Sequence, residues 1–522
     1  MPTLYTSLLA RSKGTQTLAP RAQRLPVPKE TESLPLEQYT EHVSAHYAGA
    51  FSQLVAIVPP ARSVAVLGAG LAGLSVAYEL RKRGYDISIF EASDRVGGRT
   101  FTNRDLAKPH AMDRGAELIG SNHPLWVHYA DSFHLGFSDV KDYENSPVRL
   151  GKALLSNADA KVLFQEMSEA FDFISARSKR IVDPFRPWTD PDASLLDRQN
   201  VHEFVVKQRK WSRLCKKAVL QQLESDNGVL AENQSLLGLL SMVRGGGMER
   251  YWVDTEVYRC KRGAQALSLA FEAALRGLRT SVQYNSPVTA IDASGPKVKL
   301  EIDQKMWPTD FDDVVLAMPP SAWIRISKWW PDRLSELMGV TPQMGKNTKM
   351  LLAFGSRVWE KSRLAPSSTE NGPVDETWET TESYSSPKFG MVAFSGADHA
   401  EELSKLDDQN ALNRVEADLQ NTYKNFSAAV IGSEFVNWPT REWAWASYSF
   451  PICGDITKWG PIFYEGYEDK LHFAGEHTCY AFTGYMEGAL QSGYRLARKL
   501  VWRDGIDWPQ PPIMLRPAGK SR

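Results

Sequence analysis

The chain has 522 residues, 43% of them hydrophobic and 24% charged, with a formal net charge of −1. That length favours two intertwined domains over one small core, and the balanced charge excludes a field that would draw in nucleic acid or an anionic membrane surface. No apolar run reaches the roughly 18 residues of a membrane span, and Cys215, Cys260, Cys453 and Cys479 lack the spacing of a disulfide framework or a zinc site, so we expect a cytoplasmic protein without a metal.

Residues 1–33 read as a flexible extension. Acidic residues are absent until Glu30 while Arg11, Lys13, Arg21, Arg24 and Lys29 are present, a composition that a transit peptide would share. Apolar spacing predicts a helix over 34–57, stopped by Pro59 and Pro60. Residues 63–67 read as a buried parallel strand, 71–83 as a helix ending near Gly84, and 87–90 as a second strand, together a β-α-β unit. Helices are expected over 157–181, 200–225 and 263–278. Strands are expected over 287–291, 297–302 and 314–317. Residues 361–390, rich in Ser, Thr, Glu and Pro, read as an excursion or loop. A last strand over 471–474 leads to a helix from about 484 to 503, and 508–522 reads as a surface tail.

The strongest motif is Gly68-Ala-Gly70-Leu-Ala-Gly73, between the first strand and its helix. The first glycine permits a tight turn, the second lets a pyrophosphate approach the backbone, and the third lets helix and strand pack closely. The helix start offers free N–H groups and a positive dipole end. Glu91, at the end of the second strand, is placed to accept a ribose hydroxyl. The run Glu91-Ala-Ser-Asp-Arg95-Val-Gly97-Gly98-Arg99 then sets two glycines between two arginines, suited to a second phosphate region.

This segment resembles the FAD-binding start of the flavin amine oxidases (the flavin monoamine oxidase and L-amino-acid oxidase family). Phe473-Ala-Gly475-Glu476-His-Thr478 with Gly484-Tyr485-Met486-Glu487-Gly488-Ala489 is similar to that family's second FAD signature. The resemblance spans most of 60–505. It implies an α/β fold: a Rossmann-like FAD-binding domain assembled from discontinuous segments, a mixed-sheet substrate-binding domain and a helical insertion. The expected division is 34–125, 263–310 and 465–505 for the cofactor, 311–464 for the substrate, 126–262 helical, and 506–522 a tail. Noncovalent FAD would touch Gly68, Gly70, Leu71, Ala72, Gly73, Glu91, Ala92, Gly98, Arg99, Gly115, Ala116, Glu117, Leu118, Val288, Gly475, Glu476, Gly484, Tyr485 and Met486. Cys453 falls one position away from where some relatives attach flavin covalently.

The resemblance also implies catalytic roles. Lys349 would reach the flavin N5 through a water and assist reoxidation by dioxygen, and Tyr485 would form one wall of an aromatic cage. The second wall should come from the region 443–453, where Trp443 and Tyr448 keep the family's spacing. Many L-amino-acid oxidases carry a carboxylate-clamping arginine where Leu118 falls, and this chain lacks it. Glu117 would face the flavin, meet a cationic substrate group, or pair with Arg114. Yet the stretch from Arg244-Gly-Gly-Gly-Met248 to Arg259-Cys-Lys-Arg262-Gly263 is similar to microbial L-amino-acid oxidases, and its basic residues could replace the clamp. The leading expectation is oxidative deamination of an L-amino acid to a 2-oxo acid, with ammonia and hydrogen peroxide, by a homodimer. The alternatives are a primary amine or polyamine oxidase, an amino-acid monooxygenase, and a flavoprotein without turnover.

Overall fold

The computed structural model describes residues 3–12, 34–51, 62–141, 143, 145–150, 153–370, 372–381 and 387–508. Its centre is a five-stranded parallel sheet in the order Val282–Gln283, Asp86–Phe90, Ser63–Leu67, Asp313–Leu316, Leu471–Phe473. The inner strands are short aliphatic runs because both faces are covered. On one face Leu71–Arg81 packs against the C-terminal helix Met486–Arg503 and against Gln265–Gly277, which carries Leu36–Gly49 on its outer side. Neighbouring strands therefore come from stretches hundreds of residues apart.

A buried carboxylate ties those stretches together. Asp313, fully buried, receives Arg503 Nη1 at 2.7 Å and Nη2 at 2.9 Å. It also meets His472 Nε2 at 2.9 Å and accepts from Arg62 Nε at 3.0 Å. The first strand's leader, two adjacent strands and the last turn of the final helix are thus pinned at one point. Burial alone would raise the Asp313 pKa, but the hydrogen bonds and charges of Arg503 and His472 hold it far below the ordinary carboxylate range.

Two further sheets lie beside the first. Lys305–Met306, Lys299–Ile302, Val288–Asp292 and Lys328–Trp330 form a four-stranded sheet whose last strand joins in parallel. Ser368–Thr369, Glu376–Glu379, Phe389–Gly396, Asn347–Phe354 and Val430–Asn437 form an antiparallel sheet of five. The helices Asn157–Ser178, Arg213–Asn227 and Leu236–Gly245 share a separate apolar core.

Several expectations are corrected. Within the stretch read as a flexible extension, Leu4–Ser12 is a helix, and Leu4 and Leu8, one turn apart, are buried in the helical core; residues 13–33 lie outside the described ones. The strand Asp313–Leu316 sits near the centre of the parallel sheet, so the boundary at 311 divides a sheet rather than separating domains. The excursion over 361–390 contains Ser368–Thr369 and Glu376–Glu379, two strands of the antiparallel sheet, buried despite their polarity. The helix expected over 200–225 is two, Val201–Val206 and Arg213–Asn227, the second started by Ser212, whose side chain accepts from Cys215 N–H. The helical region 126–262 also holds strands, among them Phe137–Asp139 and Tyr258–Cys260. Residues 52–61 and 509–522, parts of the expected first helix and tail, are outside the described residues.

Removing the Asp313 charge leaves Arg503 and Arg62 without their fully buried counter-charge. Asp313→Asn should cost about 3–5 kcal/mol at neutral pH. The folded-state pKa lies below an unfolded value of about 3.9. The charge therefore stabilises the fold above that value and its contribution is lost as the pH falls through the folded one. Thermal melts should show the variant below the parent at pH 7, with the gap narrowing in acid.

Candidate active site

A cavity of about 590 Å³ runs from the C-terminal ends of the parallel strands to the antiparallel sheet. Residues just after four of those strands line it: Gly68, Glu91, Ala317 and Gly475, the general location of ligands on open α/β sheets. Gly68 holds φ +109°, which a side chain would strain, and a Cβ there would come within 2.9 Å of the Ala317 carbonyl oxygen. Gly73 does not line the cavity; a Cβ on it would overlap the Gly68 carbonyl oxygen, so its role is close helix–strand packing. The two glycine turns touch, Gly97 N–H donating to Ala69 O at 2.9 Å. The helix Leu71–Arg81 starts at Gly70 with no side-chain cap, leaving N–H groups facing the cavity. Glu91 accepts Ala69 N–H at 2.7 Å and the Ser93 hydroxyl at 2.7 Å, so it also shapes the turn.

Glu476 joins the two motifs. Its buried carboxylate accepts Arg99 Nη1 at 2.7 Å, the Ser449 hydroxyl at 2.6 Å and Gly484 N–H at 2.8 Å. Burial opposes its charge, but Arg99 and these donors hold the pKa below the usual value. The C-terminal helix begins at Met486, two residues later than expected, with Tyr485 at its N-cap and no side-chain cap; its first turn also faces the cavity.

At the far end stands Lys349, buried. Its Nζ donates to Gly115 O at 2.8 Å, to Glu117 Oε2 at 3.2 Å and to Asp113 O at 3.3 Å. Glu117 also accepts Arg259 Nε at 2.6 Å and Trp378 Nε1 at 3.0 and 3.1 Å. The expected pairing of Glu117 with Arg114 is overturned, because Arg114 reaches Glu434 at 2.5 Å instead. Nor is Glu117 open to a cationic substrate, since Lys349 and Arg259 already hold both of its oxygens.

The same end holds three tyrosines and an acid. Tyr251 and Tyr485 hydroxyls lie 3.4 Å apart, and the Tyr448 hydroxyl donates to Asp226 O at 2.8 Å. Tyr448, Tyr485 and Asp226 line the cavity, and Asp226 Oδ1 is buried with no hydrogen-bond partner among the described residues. Burial raises the Asp226 pKa to about 7.

Every expected cofactor contact except Gly73 lines this one cavity, as do Lys349 and Trp443. Trp443 stacks edge-on with Trp445, whose ring carries the Arg325 guanidinium; Tyr448 is the aromatic that accompanies Tyr485. The expected clamp within 244–262 is also corrected. Of that stretch only Glu256 lines the cavity. Arg250 pairs with Asp254, Arg259 with Glu117, and Arg262 donates to Leu34 O. Gly245 instead lets its helix lie against Ala481. Sequence reasoning missed Asp226 and Trp378, which belong to no motif and meet the site only through tertiary packing, and it read Arg259 only as one of several possible clamps rather than as the partner of Glu117. None of the four cysteines lines the cavity, and Cys453 lies against Gln234 O at 4.0 Å. Among the described residues no helix is long and apolar enough to cross a membrane.

The profile of the family described as flavin containing amine oxidoreductase matches residues 71–501. The chain is similar to a flavin-containing amine oxidase of Oncorhynchus mykiss, 24% identical over 468 residues, covering 85% of this chain and 86% of that one. It is similar to flavin-containing amine oxidase B of Homo sapiens, 24% identical over 492 residues, covering 86% and 91%. A solved putrescine oxidase bound to putrescine shares the fold with a TM-score of 0.73 at 21% identity, covering 85% of this chain and 99% of that one. Cyclohexylamine oxidase from Brevibacterium oxydans IH-35A gives the same TM-score and coverage at 20% identity.

Glu476→Ala should remove the counter-charge of Arg99 and the acceptor of three further donors, the Ser449 N–H and hydroxyl and the Gly484 N–H. Chemical denaturation should show a loss of about 3 kcal/mol, and the purified variant should retain less than a tenth of the parent's flavin after gel filtration, read from visible absorbance.

Proposed function

Because the chain belongs to the flavin-containing amine oxidoreductase family, we propose that it is an FAD-dependent oxidase of a cationic amine, giving a carbonyl compound, ammonia and hydrogen peroxide. The observation that carries the choice of substrate is the character of the tyrosine end: Asp226 lines the cavity there with Tyr448 and Tyr485, and no arginine or lysine from 244–262 lines it. A substrate carboxylate would meet an acid there, whereas an ammonium would meet a counter-charge. The names of the relatives, putrescine oxidase and cyclohexylamine oxidase among them, support an amine without a carboxylate. This reading replaces the L-amino acid as the leading substrate.

The residues present fit FAD. The uncapped helix starts at Leu71 and Met486, with the glycine turns, would hold the pyrophosphate and the ring edge. Glu91 would accept a ribose hydroxyl, and Arg99 with Glu476 would brace the centre. The absence of cysteine from the lining supports noncovalent binding. Bound there, the flavin would supply the acceptor for a hydride from the carbon bearing the nitrogen.

The chain's own side chains do the rest. Tyr485 and Tyr448 confine the amine, and as neutral phenols with strongly raised pKa values they orient it without competing for its proton. Asp226 would take a proton from the entering ammonium, because only the neutral amine can give up the hydride. Lys349 keeps a buried positive charge beside the reactive edge, where reduction of dioxygen builds negative charge.

An aerobic panel of diamines, monoamines and L-amino acids with a peroxide readout tests the substrate class. Turnover of amines is expected, and turnover of amino acids alone would reverse the choice. For a responsive amine, kcat/KM should rise with pH through about 7 as Asp226 becomes a carboxylate. Asp226→Asn should remove that limb and lower kcat/KM about tenfold or more, within the range for general base groups. Acid precipitation should leave the flavin in the supernatant.

A further inference from the structure

We propose that Glu117 is the positioning residue for Lys349, with Arg259 and Trp378 fixing Glu117 in turn. The inference rests on the reading of Lys349 as the buried cation facing the flavin. Four elements meet at one carboxylate. Lys349 comes from Asn347–Phe354 and Trp378 from Glu376–Glu379, both in the antiparallel sheet. Arg259 comes from Tyr258–Cys260, which pairs with Leu118–Ile119 directly after Glu117, so that Leu118 stands opposite Arg259.

The donors leave little freedom. Glu117 Oε1 takes Arg259 at 2.6 Å and Trp378 at 3.0 Å, and Oε2 takes Lys349 at 3.2 Å and Trp378 at 3.1 Å. Lys349 has three N–H groups, and its three acceptors account for them, two being backbone carbonyls. Glu117 is therefore the one charged acceptor in that set. Burying a carboxylate costs several kcal/mol unless paired, and apolar packing would often serve stability as well, so the network is poorly explained by stability alone. Its effect is electrostatic. Arg259 stays protonated at any working pH and keeps Glu117 anionic, and Glu117 holds the ammonium of Lys349 in place. The other groups facing this point are Asp113, whose carboxylate accepts from Thr102 and Ala264, and beyond it Arg104 and Cys260. Burial opposes the Glu117 charge, but Lys349 and Arg259 hold its pKa below the ordinary range, in keeping with an anion at all relevant pH.

The test uses the flavin-loaded full chain with Glu117→Gln, Trp378→Phe, Lys349→Met and the Glu117→Gln/Lys349→Met double variant. Reoxidation by dioxygen after photoreduction, anaerobic reduction by an amine, the flavin midpoint potential and melting temperature are measured for each. Glu117→Gln should slow reoxidation about tenfold, while anaerobic reduction changes less than twofold. Trp378→Phe, which keeps the ring and removes only the N–H, should move the same readouts the same way by less. It keeps the inference testable if Glu117→Gln fails to fold. The double variant should reoxidise no more slowly than Lys349→Met, because the effect runs through the lysine. Reoxidation at the parent rate in Glu117→Gln, or additive losses in the double variant, would overturn the assignment. A Lys349→Met variant that reoxidises like the parent would instead overturn the reading of Lys349 beneath it.

Discussion

The site depends on the last strand and helix of the chain returning to a sheet begun some four hundred residues earlier. Two buried carboxylates enforce that return from opposite sides. Asp313 gathers Arg62, His472 and Arg503 at the base of the parallel sheet. Glu476 gathers Arg99, Ser449 and the Gly484 amide at the wall of the cavity. Hydrophobic burial closes the helices over the sheet, but it is non-directional. The charged contacts set which glycine turn faces which, and hence the alignment of the two helix starts on one ligand.

Charge is then distributed along the cavity in a way that suits a redox cofactor and a cation. The phosphate end carries arginines and uncapped helix N–H groups. The opposite end presents one lysine whose charge is balanced by Glu117, and beside it an acid and neutral tyrosines. These two kinds of site sit on different supports. The first is built on the parallel sheet, and the second where the antiparallel sheet, the small Leu118–Ile119 pair and the end of Arg213–Asn227 converge.

Much of the cofactor half was legible in the sequence because its chemistry is local. Gly68, Gly97 and Gly98 hold positive φ, Gly70 leaves open space at the cavity, and Glu91 is spaced by one β-α-β unit. Short buried strands such as Ser63–Leu67 announce themselves as aliphatic runs. The substrate half was harder. Asp226 ends an amphipathic helix and looks like any surface acid until Tyr448 and Tyr485 are folded against it. Arg259 was one of several basic residues that could have clamped a carboxylate, yet its partner, Glu117, lies 142 positions away. The polar stretch around Glu376–Glu379 read as a loop because its burial comes from neighbours rather than from its own composition. Likewise Leu4 and Leu8 are too few to declare a helix until a core is present to receive them.

The central claim is that a flavin held by both ends of the chain takes electrons from a cationic amine. Mixing the purified yellow protein with a diamine in the absence of oxygen, and following the visible flavin band, tests it in one turnover. The account predicts that the band bleaches, that an L-amino acid at the same concentration bleaches it far more slowly, and that admitting air restores the colour. A flavin that stays oxidised with amines, or bleaches only with amino acids, would contradict it.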